Sequence, residues 1–256
     1  MDRGAPARHL VLSIFPGIDL LGRGFEEEFG DEICLVRGPD PIFGSDIRGW
    51  HVPAGVFWGV LGGDPCQPFS RLNNINKAKG IRSRFPDMTS EFARVVDEGQ
   101  PAWFLRENVP GAPDIGVPGY VVHRFVLNNH WLGGTQNRLR IFWFGARDGR
   151  RLDIEILPLE NPIRVPAMTA SGTRWVPIKL NGSGKIKSTY EQQRHGRPVG
   201  VASNAYFREG VVAQGLPEDF DLPDFTVRGK IRAVGNGVSR DMARAIAKAI
   251  RKAMEA

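Results

Sequence analysis

The chain has 256 residues, 41% of them hydrophobic and 24% charged, which suits a globular protein with one large domain or a large and a small one. No apolar run approaches the roughly 20 residues that span a bilayer, and the apolar N-terminal segment is too short for a secretory signal, so we expect a cytoplasmic protein. Two cysteines argue against a disulfide framework, and a net charge of +6 favours polyanionic partners.

Apolar runs and helical periodicities alternate along the first 147 residues. HLVLSIF (9–15) predicts a buried strand, and the four-residue spacing of Leu21, Phe25 and Phe29 predicts a helix that ends at Gly30. Further strands are predicted in EICLV (32–36), VFWGVL (56–61), AWFLREN (102–108) and RIFWFG (140–145). Further helices are predicted over 89–99 and over about 118–128. This alternation indicates an α/β fold with a mainly parallel sheet.

The pattern changes in the second half of the chain. Residues 150–208 have few long apolar runs, many Gly, Pro, Ser and Asn, and more basic than acidic residues, which predicts a small, irregular second domain. A regular helix is predicted after Ser239, where Met242, Ile246 and Ile250 form an apolar stripe. The predicted division is a first domain over 1–147, a second over 148–208, and a C-terminal segment over 209–256 that returns to the first.

The segment LGGDPCQPFSRL (61–72) places Cys66 between Pro65 and Pro68, directly after a predicted strand. Neither proline has an N–H to donate, so the segment is predicted to be a stiff loop. The other cysteine, Cys34, lies within a predicted strand and is expected to be a small buried residue. Ligands of open α/β sheets bind beyond the carboxyl ends of the strands, which is where Cys66 falls.

Six short stretches occur in an order that resembles the DNA (cytosine-5)-methyltransferase family. SIFPGIDLLGRGFEE (13–27) resembles its cofactor-binding motif, GGDPCQPFS (62–70) its Pro-Cys-Gln motif and RENVPG (106–111) its Glu-Asn-Val motif. QNRLR (136–140) is similar to Gln-x-Arg-x-Arg, and QGLPEDF (214–220) and AVGNGVS (233–239) resemble the last two motifs. The resemblance covers nearly the whole chain. It implies a Rossmann-like class I methyltransferase domain, with the small irregular domain as the target-recognition domain.

The resemblance also implies the catalytic residues. Cys66 would add to carbon 6 of cytosine, which makes carbon 5 nucleophilic toward a methyl donor. Glu107 would act as the acid at ring nitrogen 3, a role that a raised pKa favours. Asn108 would hold the neighbouring loop, and Arg140 and Arg138 would contact the base and hold the site together.

The implied cofactor is S-adenosylmethionine, although its motif departs from the family pattern. Asp19 and Leu20 stand where the family usually has two glycines, and Asp19 is expected to cap the following helix. Arg37 and two further residues precede Asp40, so either Asp40 binds the ribose from a shifted loop or the ribose is held differently. The implied cofactor-binding residues are Phe15, Gly17, Ile18, Asp40, Asp46, Ile47, Asp64, Pro65 and Asn236.

The implied substrate is double-stranded DNA with the target base flipped out of the helix. A basic, polar segment over 70–84 is predicted to be a mobile loop that closes over the DNA, and basic residues of 150–208 are expected to contact it as well. The implied DNA-binding residues are Gln67, Ser70, Arg71, Lys79, Arg82, Arg174 and Lys185. No histidine shows metal-ligand spacing, so no metal is expected, and we expect a monomer.

Three alternatives share much of this evidence. An RNA cytosine-5 methyltransferase of the same fold would carry most of the same residues. A related enzyme could use a modified cofactor, given Asp19 and the altered second motif. A catalytically silent DNA-binding regulator would not need Cys66, Glu107 and Arg140 together. The expected setting is a stand-alone methylase of a bacterial restriction system or of a phage that protects its own DNA.

Overall fold

The computed structural model describes residues 8–69, 80, 86–157, 165–168, 170, 173–175, 198–200 and 203–255. Its centre is a six-stranded sheet. The strands in chain order are β1 (His9–Ile14), β2 (Ile33–Arg37), β3 (Gly59–Gly62), β4 (Trp103–Asn108), β5 (Val121–Asn128), β6 (Gln136–Asn137) and β7 (Leu139–Ala146). Their order across the sheet is β2-β1-β3-β4-β7-β5, with β6 outside it. The first four strands in this order are parallel and the last two are antiparallel to their neighbours, which confirms the predicted α/β fold.

Helices cover both faces of this sheet. They are α1 (Leu20–Phe29), α2 (Thr89–Gly99), α3 (Asn204–Ala213), α4 (Val227–Asn236) and α5 (Arg240–Glu255). The apolar stripes of α1 and α5 pack in one core cluster with Trp103 and Phe142, while α2 packs in a second cluster with Phe104. A third cluster joins α3 and α4. No helix in the described part of the chain is long and apolar enough to cross a membrane.

The helix predicted over 118–128 is wrong. Residues Val121–Asn128 form β5, which pairs antiparallel with β7 along its whole length. The segment VVHRFVLN is rich in β-branched and aromatic residues, which suit a partly buried strand at the edge of a sheet. The strand predicted over 56–61 is shorter than expected, because regular pairing begins only at Gly59.

The burial predicted for Cys34 is also wrong. Cys34 is exposed, because β2 is the edge strand of the sheet and this side chain lies on its solvent side. The stripe predicted for the C-terminal helix is confirmed, since Met242, Ile246 and Ile250 of α5 are fully buried.

The predicted second domain remains a prediction. Its described parts include the segment 148–157, which has no regular structure, three short strands, β8 (Val165–Pro166), β9 (Thr173–Trp175) and β10 (Pro198–Gly200), and the beginning of α3, which crosses the predicted boundary at residue 208. Strand β8 pairs with β6, and β9 pairs with β10.

Candidate active site

Loops at the carboxyl ends of the parallel strands and the end of α4 surround a cavity of about 460 Å³. Small-molecule sites have volumes of roughly 300–1,000 Å³. The predicted site residues that line it are Phe15, Gly17, Ile18, Asp40, Asp64, Pro65, Cys66, Gln67, Glu107, Arg140 and Asn236. The cavity therefore brings together the predicted nucleophile, the predicted acid and most of the predicted cofactor-binding residues, which lie far apart in the sequence.

Two side chains of β4 hold the loop that carries Cys66. Arg106 donates from Nε and Nη2 to the two carboxylate oxygens of Asp64, at 2.6 and 3.0 Å, and both side chains are fully buried. Asn108 donates from Nδ2 to the backbone carbonyl of Asp64 at 3.1 Å. These bonds fix the backbone two residues before Cys66, so they limit the positions that the thiol can take.

Arg106 is a site-supporting residue that the sequence analysis missed. Its guanidinium also donates to the backbone carbonyl of Pro113 at 2.7 Å and to the hydroxyl of Thr89 at 2.8 Å, and it lies over the ring of Trp143. The available signal was an arginine directly after the apolar run WFL of a predicted buried strand, because an arginine in such a place is rarely buried without a charged partner.

Glu107 and Arg140 form an ion pair at the cavity wall. Nε of Arg140 lies 2.8 Å from Oε1 of Glu107, and both side chains are mostly buried. Burial raises the pKa of the Glu107 carboxyl, although Arg140 and Arg138 oppose this rise. A carboxyl group with a raised pKa can hold and donate a proton closer to neutral pH than an exposed glutamate can.

The Cys66 thiol shares this electrostatic environment. Burial raises its pKa, the negative charge of Glu107 raises it further, and Arg140 and Arg138 act in the opposite direction. The net rise keeps Cys66 in the thiol form at neutral pH, whereas the thiolate is the nucleophile. After burial, the charge on Glu107 is the largest influence that raises the pKa of Cys66.

We expect Glu107→Gln to lower the pKa of Cys66 and to speed its alkylation near neutral pH. The change removes a nearby negative charge and frees Arg140 from its ion pair, and both effects favour the thiolate. The measurement is the rate of labelling of Cys66 by iodoacetamide as a function of pH, read by mass spectrometry. Because Cys34 is exposed, both proteins carry Cys34→Ser. A rate profile that stays in place or moves to higher pH would contradict the coupling.

The turn between β1 and α1 is strained where it borders the cavity. Phe15 and Asp19 have positive φ angles of 52° and 55°, which cost a residue other than glycine on the order of 1–3 kcal/mol each. Asp40 joins this turn to the loop after β2, because its carboxylate accepts from the backbone N–H of Gly17 at 2.8 Å and of Ile42 at 2.7 Å. Strain of this kind concentrates at ligand-binding turns.

Asp19 caps α1, as its position before the helix predicts. Its carboxylate accepts from the backbone N–H of Gly22 at 3.2 Å and from the Ser13 hydroxyl at 2.8 Å, and Nε of Arg37 lies 2.9 Å from its other oxygen. Burial raises the pKa of the Asp19 carboxyl despite these partners. The two departures from the pattern of the resembled family therefore contact each other. Asp19 stands where that family usually has a glycine, and it binds Arg37, which ends β2 where a ribose-binding acid is expected.

Asp46 and Ile47, both predicted to bind cofactor, are not among the residues that line the cavity. Asp46 is exposed, and its bonds with Arg48 lower the pKa of its carboxyl to about 2. Ile47 is buried in the core cluster around α2. Asp46 thus caps the short 3₁₀ turn Ile47–Gly49 in this structure.

Arg138 also lies outside the cavity lining, in a buried polar network behind the end of α4. Its guanidinium donates to the backbone carbonyls of Met168, Gly235 and Gly237, so it holds the residues on either side of Asn236. Gln214, which the sequence analysis did not single out, donates to the carbonyls of Val234 and Gly237, and Gln136 donates to Gln214. The structure thus gives Arg138 and Gln136 a supporting position.

Most of the predicted DNA-binding residues cannot be placed. Ser70, Arg71, Lys79, Arg82 and Lys185 lie outside the described residues. Arg174 belongs to β9, of which only the backbone is described. Gln67 borders the cavity next to Cys66.

The sheet, the flanking helices and the site at the strand ends define a Rossmann-like α/β fold. A solved structure with this fold, the methyltransferase EhMeth of Entamoeba histolytica, superimposes with a TM-score of 0.63 over 97% of this chain and 99% of that one, at 12% identity. Residues 46–195, more than half of the chain, match the family described as C-5 cytosine-specific DNA methylase. The chain belongs to this family.

Curated relatives of this chain are type II methyltransferases. M.FnuDI of Fusobacterium nucleatum is 30% identical over 181 residues, which cover 59% of this chain and 50% of the relative. M.NgoPII of Neisseria gonorrhoeae is 23% identical in an alignment that covers 96% of each chain. The chain thus spans about half the length of M.FnuDI, and a smaller part of other relatives that it matches.

Proposed function

We propose that the protein transfers a methyl group from S-adenosylmethionine to carbon 5 of cytosine in DNA, with Cys66 as the nucleophile. The observation that carries this proposal is the convergence of Cys66, Glu107 and Arg140 on one cavity, with Glu107 and Arg140 already paired at 2.8 Å. Family membership supports the reaction, and the type II relatives support DNA as the substrate.

The residues around the cavity fit the proposed cofactor. Phe15 offers a ring for stacking on adenine, and Asp40 offers carboxylate oxygens that can accept from ribose hydroxyls. Gly17 and Asn236 would border the methionine part. S-adenosylmethionine, when bound, supplies an electrophilic methyl group. The side chains of the protein perform the remaining steps.

Cys66 would act first on a cytosine that has left the base stack. The thiol gives up its proton to water as its sulfur forms a bond to carbon 6, and the carbon 5–carbon 6 double bond opens so that carbon 5 becomes nucleophilic. Glu107, with its raised pKa, holds a proton at ring nitrogen 3 and so favours this addition. Once carbon 5 carries the methyl group, it loses its proton to water, the double bond forms again and the carbon 6–sulfur bond breaks, which releases Cys66 as a thiolate. Nε of Arg140 lies 2.8 Å from Oε1 and can donate to the Glu107 carboxyl in both its charged and its protonated form, so it keeps the carboxyl in position. The bonds from Arg106 and Asn108 keep the Cys66 loop in place throughout.

The proposed biological setting is protection of DNA from a restriction endonuclease, as the type II relatives suggest. Recognition of the DNA would come from the basic segment after Ser70 and from the basic residues of the proposed recognition domain over 148–208. Contacts with phosphates would offset the few kcal/mol that base flipping costs.

The deciding experiment is bisulfite sequencing of plasmid DNA from cells that express the protein. We expect protected cytosines in a consistent sequence context. Absence of protected cytosines would overturn the proposal. Transfer of labelled methyl groups to transfer RNA, but not to duplex DNA, would favour the RNA-modifying alternative. Mass spectrometry of the product base would detect a group other than methyl and so reveal a modified cofactor.

We expect Gly63→Ala to impair methyl transfer while leaving the protein stable. A Cβ at this position would lie 2.7 Å from Oε2 of Glu107, and the carboxylate can move aside, out of its working position. Gly62→Ala is the matched control, because its Cβ would lie 2.1 Å from the backbone oxygen of Ile14 and should lower the free energy of unfolding by about 1–3 kcal/mol. Methyl transfer and thermal unfolding are measured for both. Full activity of Gly63→Ala would contradict the placement of Glu107.

A further inference from the structure

One face of α4 leads toward the cavity and carries two arginines. Arg228, Arg232 and Asn236 are spaced four residues apart, so they lie on the same side of the helix, and all three are exposed. The opposite side buries Ile231 and Val234 against α3. Because α4 is anchored through its apolar side, the orientation of the arginine face is fixed.

The two arginines have no polar partner within the described part of the protein. Neither Arg228 nor Arg232 forms an ion pair or a hydrogen bond there, whereas Lys230 of the same helix binds Asp221 at 2.6 Å. Basic residues of α5 are also paired, since Arg240 binds Glu27 at 2.8 Å. Exposed guanidinium groups without carboxylate partners are available for an external anion.

The position of Arg232 indicates which anion this is. Arg232 and Asn236 line the cavity that also contains Cys66 and Glu107, and Arg228 lies four residues, about 6 Å, farther from it along the helix. A nucleotide whose base reaches Cys66 must leave its own sugar and phosphates at the mouth of this cavity. A strand that continues from that nucleotide can pass along the arginine face of α4.

We propose that Arg228 and Arg232 bind neighbouring phosphates of the DNA strand that carries the target cytosine. This inference rests on the proposed function and adds a DNA contact on the catalytic domain, apart from the segment after Ser70 and the residues 148–208. Guanidinium groups suit it, because their fork of N–H donors matches phosphate oxygens. The acidic residues Glu218, Asp219, Asp221 and Asp224 precede α4 and weaken the positive potential toward the beginning of the helix.

The test measures binding of a labelled duplex that contains the methylated context, at several salt concentrations. Arg228→Gln and Arg232→Gln should each weaken binding and reduce the slope of log K against log salt by about 0.9, the effect of one lost phosphate contact, and the double variant should lose about twice that. Lys248→Gln is the control, because it removes one positive charge from an exposed site on α5, outside the cavity.

The results distinguish a DNA contact from a cofactor contact, and failure of this inference from failure of the proposed function. Binding of S-adenosylhomocysteine, followed by calorimetry, should be the same in all variants, and its loss in Arg232→Gln would overturn the inference in favour of a contact with the cofactor. Unchanged salt slopes in both arginine variants, with wild-type DNA binding intact, would overturn the inference alone. Failure of the wild type to bind duplex DNA would overturn the inference together with the proposed function.

Discussion

Cys66→Ser should abolish methyl transfer and leave the protein folded. A serine hydroxyl is a much weaker nucleophile than a thiolate, so we expect the rate to fall on the order of 10³-fold or more. The substitution is nearly isosteric, and the bonds that hold the loop involve Asp64, Arg106 and Asn108 rather than the thiol. The measurements are transfer of labelled methyl groups to duplex DNA and the midpoint of thermal unfolding.

Cys34→Ser is the matched control, because Cys34 is exposed on the edge strand β2 and lies outside the cavity. It should retain both activity and stability. A covalent complex with DNA that contains 5-fluorocytosine should form with wild type and Cys34→Ser but not with Cys66→Ser. Tight DNA binding by the wild type without such a complex would favour the catalytically silent regulator. Substantial methyl transfer by Cys66→Ser would exclude the thiol as the nucleophile.

The parts of the fold that could be predicted are those that depend on local pattern. Strands β1, β4 and β7 each contain a short apolar run, and the stripes of α1 and α5 follow helical spacing, so each was recognisable on its own. Strand β5 could not be recognised in this way. Its exposed and buried positions do not alternate regularly, and its conformation follows from pairing with β7, which lies later in the chain.

In the candidate site, too, some features follow from local sequence and others from tertiary packing. The convergence of Cys66 and Glu107 was predictable, because the carboxyl ends of parallel strands meet at one edge of the sheet. The side-chain bonds that support the cavity were not predictable, since Arg106 and Asp64 are 42 positions apart and Arg138 and Gly235 are 97 apart. Such side-chain bonds depend on the packing of the whole fold. The motif alone therefore could not separate the residues that line the cavity from those that support its walls.

The two arginines of QNRLR, Arg138 and Arg140, therefore have different expected roles. Arg140 lies at the cavity and pairs with Glu107, so its loss should act on the chemistry. Arg138 is almost fully buried and binds three backbone carbonyls, so its loss should act through the position of Asn236 and the stability of α4. Alternation along an extended segment, which places both side chains on one face, does not reveal this difference.

Arg106→Leu should be the most destabilising substitution near the site. It leaves the carboxylate of Asp64 fully buried without its partner, a situation that costs about 3–5 kcal/mol. The free energy of unfolding, from urea denaturation, should fall by this amount. Activity should fall as well in the protein that remains folded, because Asp64 lies two residues before Cys66 and its loop loses its principal anchor.

The double variant Arg106→Leu with Asp64→Leu separates loss of the ion pair from burial of a lone charge. Removing both charged groups leaves no uncompensated carboxylate, so much of the lost stability should return, as it does when buried ion pairs are replaced by apolar residues. Activity should not return with it, because the two bonds between Arg106 and Asp64 that help to fix the Cys66 loop are still missing and only the bond from Asn108 remains. Equal instability of the single and double variants would mean that Arg106 stabilises the fold mainly through Pro113, Thr89 and Trp143.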